Sequence, residues 1–192
     1  MYQFLVDAWD ALRLKFYPVA HYRYPLSITT LVLLTLGLIN AASLPPYVIG
    51  PQAGIISFAI CLTVLRWLIL CVVMKIFLSP LSRLWEWCGY ILITEALLMP
   101  LVVLCYWPEM MYLPSFIWLV WIMIVQFTGL IRISKAKVGQ IVLAYVVYFF
   151  GASMASGMLL FVFFNVGWLD LEASLQALKP FMDQVVSDFG MQ

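Results

Sequence analysis

Long apolar runs broken by short polar segments dominate the chain from about residue 26 to residue 164. Each run approaches the roughly 20 apolar residues that carry a helix across a ~30 Å hydrocarbon core. They predict five membrane-spanning helices, over residues 26–44, 53–78, 87–107, 114–131 and 139–164. Pro45-Pro46 closes the first run, and Pro108 to Leu113 is expected to form the loop before the fourth. Pro100 lies inside the third, where a missing backbone donor and a ring clash one turn earlier should kink the helix. The expected fold class is all-α: a polytopic bundle of five transmembrane helices with amphipathic helices at both termini.

The terminal segments, residues 1–25 and 166–192, follow a different pattern. Leu5, Trp9, Leu12 and Phe16 recur at helical spacing, with Asp7, Asp10, Arg13 and Lys15 between them. A helix lying at the membrane surface and one packed on the protein's own spans fit this pattern equally. Pro18 ends the helix, and His21-Tyr22-Arg23-Tyr24-Pro25 makes an aromatic and basic approach to the bilayer. In the tail, Asp170 is placed to cap a helix whose apolar positions run from Leu171 to Phe189, with Pro180 breaking it midway. A fold-back along the outer surface is the favoured reading of this acidic segment. The apolar run begins too late, and too many acidic residues precede it, for a cleavable signal peptide.

Composition supports a membrane class. The 192 residues are 66% hydrophobic and only 10% charged, and mean hydropathy is +1.06. A soluble domain is about a quarter charged. The few charges are informative in their placement. Arg13, Lys15 and Arg23 precede the first span, Lys75 and Arg83 flank the turn after the second, and Arg132, Lys135 and Lys137 follow the fourth. The other two short loops carry no basic residue. The positive-inside rule then places the N-terminus in the cytoplasm and the C-terminus outside, in what is expected to be a bacterial inner membrane.

The second and third runs form a hairpin about Ser79-Pro80-Leu81-Ser82-Arg83, and Arg66 and Glu95 stand at mirrored distances from that turn. An unpaired charge at the bilayer centre costs about 2.5–3.5 kcal/mol on insertion scales, so such residues pair or face water. A buried ion pair clasping the two helices is the favoured reading, because the helical neighbours of both residues are apolar. A proton or ion relay centred on Glu95 is the functional alternative, and either charge could instead pair with another subunit. Gln126 is a candidate polar neighbour, and Asn40 another buried polar residue. Gly151, Ala155 and Gly157 belong to a register of small residues four apart that favours close helix packing, and Gly37/Ala41 repeats it once. Cys61, Cys71, Cys88 and Cys105 lack ligand spacing and read as small packing residues. His21 is the only histidine, and no phosphate-, dinucleotide- or zinc-binding motif or nucleophile elbow appears. No catalytic set, metal, cofactor or nucleic-acid partner is therefore expected.

The layout resembles the Yip family of five-span membrane proteins (Rab/Ypt-interacting proteins and their bacterial relatives). Tyr22-Arg23-Tyr24-Pro25 before the first span carries the resemblance, together with Gly89-Tyr90 and Pro100 in the third. A Trp-rich fourth span ending in Gly129-Leu130, a basic loop and a small-residue fifth span add to it. The acidic tail departs from the pattern, and the lack of a large soluble N-terminal domain is similar to the bacterial members. The resemblance implies a scaffold or adaptor and transfers no catalytic residue. The expected function is a non-enzymatic, partner-binding or assembly subunit in the bilayer, joined to other membrane subunits or to copies of itself. A small transporter or channel using Arg66 and Glu95 is the alternative.

Overall fold

The chain forms helices wherever its apolar runs extend, as seen in a computed structural model that describes residues 1–44, 48–78, 84–105, 108–176 and 179. In order these are α1 (Tyr2–Leu12), α2 (Leu26–Ser43), α3 (Gln52–Leu78), α4 (Leu84–Ala96), α5 (Pro108–Ser134) and α6 (Val138–Asn165). Short 3-10 helices cover Val19–His21 and Met99–Cys105. Among the described residues the β-type pairing is an isolated bridge, Ile49 with Asp170.

Three helices are long and apolar enough to cross a membrane: α3, α6 and the part of α5 from Leu113 to Ser134. The other two predicted spans are shorter. Leu26–Ala42 of α2 is an apolar helix below that length, and the third run is divided. Its α-helical part stops at Ala96, four residues before Pro100, and a 3-10 helix takes over at Met99. The proline ring would collide with the carbonyl one turn back, and its nitrogen has no proton to give that carbonyl. The expected kink is thus a break. Residues 108–113, expected as a loop, are the opening of α5, with Pro108 at the first helical position, where a proline costs no hydrogen bond.

The central helix is α3, which packs against α2, α4 and α6. Contact with α2 is close at Gly37, where a Cβ would lie 2.9 Å from the Cα of Ile60. The core gathers at the end of the bundle where α1 covers α4. Trp87, Tyr90, Ile91, Met74 and Cys71 are fully buried there.

The N-terminal helix packs on the protein's own helices through one face and leaves the Leu5 and Trp9 face exposed. Phe4, Asp7 and Ala11 are buried, whereas Leu5 and Trp9 are exposed. Two apolar faces fit on one helix, and the one with small Ala11 approaches α4 and α5. The start of the tail folds back as expected. Asp170 N–H donates to Ile49 O at 2.8 Å, Ser174 Oγ accepts from Ile49 N–H at 3.0 Å, and Asp170 Oδ1 caps Ala173 N–H at 3.0 Å. The Ser79–Arg83 turn, Pro180 and the tail positions beyond it lie outside the described residues.

Candidate functional site

Arg66 lies midway along α3, and Glu95 is the penultimate residue of α4, beside the break. Both line one cavity of about 190 Å³. Their predicted common level is thereby matched, but a direct clasp is not formed. Among the described residues the ion pairs within 4.0 Å are His21–Asp7 and Arg23–Glu86. Arg66 is exposed and Glu95 half-buried. The physical reason is that four helices, not two, wall the space. Asn40 and Leu36 enter from α2 and Tyr148 from α6, holding the α3 and α4 charges on separate walls.

The apolar faces of α3 and α4 concealed this polarity. Asn40 Nδ2 donates to Thr63 Oγ1 at 2.9 Å, and Thr63 in turn donates to Ala59 O at 2.8 Å. This relay fixes the Asn40 amide on the cavity wall. Gln126, the candidate polar neighbour, is not among the residues lining the cavity. Its Nε2 donates to Thr94 Oγ1 at 3.2 Å and ties α5 to α4. Where α4 breaks, a freed carbonyl is met by a side chain: Trp118 Nε1 donates to Leu97 O at 2.9 Å. That satisfies a backbone acceptor which could not remain unpaired in hydrocarbon.

A second cavity, of about 140 Å³, lies toward the α1 end and is lined by Arg23, Tyr24, Thr29, Cys88 and Gly89. Trp67 lines both cavities. It is only 6% exposed, and its buried indole N–H has no hydrogen-bond partner in the structure. Gly89 is glycine for a steric reason, since a Cβ there would run into the Tyr22 carbonyl.

The segment before α2, expected as an interfacial approach, is a tertiary latch. Buried Asp7 accepts from Tyr24 Oη at 2.5 Å and lies 3.1 Å from His21 Nε2. Burial first, and then the hydrogen bond to Asp7, hold the Tyr24 phenol well above its ordinary 10.0. Arg23 pairs with Glu86 in the first turn of α4. Within the basic loop, Arg132 donates to Leu14 O at 3.0 Å, so it secures the N-terminal segment. Lys135 and Lys137 stay exposed. Of the small residues in α6, Gly151 faces α3, its Cβ position 3.6 Å from Ile69, and Ala155 is partly covered. At Gly157 an added Cβ would meet no atom within 4 Å among the described residues.

Between α5 and α6 runs an apolar groove of about 900 Å³, lined by Met123, Phe127, Val142, Tyr145 and Phe149 among others. Cys71 and Cys88 are buried as small core residues, whereas Cys61 is exposed. No group of three or more His, Cys, Asp or Glu placed to hold a metal ion occurs among the described residues. Compared with known proteins, the chain matches no protein-family model, no curated protein and no solved structure.

Proposed function

We propose that this chain is a small non-enzymatic membrane protein that binds a hydrophilic solute between its helices and passes it across the bilayer. The observation that carries this is the separation of Arg66 and Glu95 on one cavity walled also by Asn40, Thr63 and Tyr148. A charge inside an apolar helix is retained where it faces a partner or a water-filled space. Here the two opposite charges line one cavity and form no ion pair within 4.0 Å. A broken helix beside such a site is the usual way for backbone to reach membrane depth without facing lipid.

The membrane arrangement belongs to the same proposal. It has five crossings, a cytoplasmic N-terminus and an extracytoplasmic C-terminus, in a bacterial inner membrane. Support comes from the basic residues at alternate ends of the runs. The 18 residues of α2 rise about 27 Å, close to the ~30 Å core. The kinship with Yip proteins rests on the sequence motifs alone.

Liposome swelling tests the passage. Purified protein in vesicles, shifted into iso-osmolar solutions of small solutes, is expected to admit some of them faster than protein-free vesicles. Glu95→Gln abolishes the gain while the melting temperature is kept. A variant that swells normally but melts lower would make the charges a structural clasp.

A second reading, an assembly subunit, is favoured by the open α5–α6 groove and by α6 itself, of whose most apolar stretch only 6% is buried. Tagged protein purified gently from native membranes then brings down a second membrane subunit, or a second copy of itself. A lone monomer would count against it.

A further inference from the structure

The geometry points to a small zwitterion, of amino-acid or betaine type, as the solute held between Arg66 and Glu95, with Trp67 as the door through which it enters. This rests on the reading of the cavity as a solute site and adds the chemical class.

Charge selects the class. Among the described lining residues there is one guanidinium and one carboxylate, on walls of different helices and without an ion pair between them. A monovalent ion of either sign would leave a net charge in a low-dielectric space, which is costly. A ligand carrying both charges leaves the site neutral and satisfies each wall. Its carboxylate takes the planar donor fork of Arg66, and its ammonium group faces Glu95. Size limits the class further. About 190 Å³ holds roughly six water-sized groups at ~30 Å³ each, which suits the smallest amino acids. Asn40, fixed by Thr63, adds an orienting polar group.

Trp67 supplies the independent observation. A buried indole N–H ordinarily finds an acceptor, and this one has none. Trp67 lines both cavities, the other of which lies beside Arg23 and Tyr24 at the α1 end. In the present conformer the indole donor is unpaired among the described residues. A rotation that joins the cavities frees that donor for water or for the solute's carboxylate. The unpaired bond lowers the cost of opening.

Equilibrium binding of radiolabelled L-alanine to the full chain in lipid nanodiscs tests the inference. Saturable binding is expected, displaced by glycine and small betaines. Acetate and methylammonium, each lacking one charge-assisted contact, should compete about tenfold or more worse. Arg66→Gln and Glu95→Gln should each abolish binding, and the competition series on the unaltered chain decides the matter if either variant misfolds. Trp67→Ala should speed alanine exchange severalfold, whereas Trp67→Phe, which keeps the bulk of the ring but lacks the N–H that opening would satisfy, should slow it. Acetate or methylammonium competing as well as alanine, or no saturable binding of any zwitterion, would overturn the zwitterion. Swelling by glycerol or acetate in that case would leave the passage reading standing. Alanine binding without any swelling would do the reverse. Unchanged exchange in Trp67→Ala would remove the door.

Discussion

Asp7 is 4% exposed on a helix with hydrophobic residues to spare. It is tolerated there because Tyr24 and His21 reach it from beyond the Pro18 turn, and a buried carboxylate without such partners would cost several kcal/mol. The latch has a pH consequence with a definite sign. The Tyr24 phenol is held above 10.0 in the folded chain, by burial and then by Asp7. Above pH 10 the unfolded chain therefore gives up a proton that the folded chain retains, and stability falls as pH rises. Below that value the contribution is constant. The melting temperature is expected to fall above pH 10 in the unaltered chain and to lose part of that fall in Tyr24→Phe. The same variant should loosen α1 at neutral pH, by about 1–3 kcal/mol for the acceptor left unpaired. Nothing in the residue pattern announced this group. Its partners lie 14 and 17 residues away, and no helical period connects them.

Helix packing distinguishes small residues that look alike in the sequence. Gly37 and Gly157 both sit in four-apart small-residue registers, yet only Gly37 is pressed against another backbone. Gly37→Ala gains helix propensity but drives a methyl group to 2.9 Å from the Ile60 Cα, and overpacking of this kind costs about 1–3 kcal/mol. Gly157→Ala meets open space and gains about 0.5–1 kcal/mol from the stiffer backbone. Thermal melts in one detergent should move in opposite directions, down for Gly37→Ala and level or up for Gly157→Ala. Matching losses in both would mean that Gly157 has a partner. The sequence reading identified both registers, but the rotation of each helix about its axis decides which member faces inward. Pro100 was legible as a disturbance for a local reason, since the clash involves a carbonyl only four residues back. Whether α4 bends or ends there depended on Trp118, which donates its indole N–H to the freed Leu97 carbonyl and comes from another helix.

Over the whole molecule, the proposed topology predicts the behaviour of terminal reporters. A green fluorescent protein joined to the N-terminus should fluoresce, and an alkaline phosphatase joined after residue 165 should be active, since each reporter works on one side only. Phosphatase silence after α6 would mean an even number of crossings and would move α2, or the α4 and 3-10 pair, out of the bilayer. The α5–α6 groove and the sparse cover of α6 belong to this scale too.

By itself the sequence determined the helical class, the limits of α2, α3 and α6 to within a residue or two, and the shared level of Arg66 and Glu95. These follow from hydropathy and chain geometry, which are local or nearly so. It could not show that the two charges form no ion pair, that Asn40 and Tyr148 line their cavity, or that Trp67 lines two cavities. Each of those depends on how α2 and α6 are rotated and seated against α3. Within an almost uniformly apolar helix no polar stripe marks the inward side, so the polar site is assembled by packing alone.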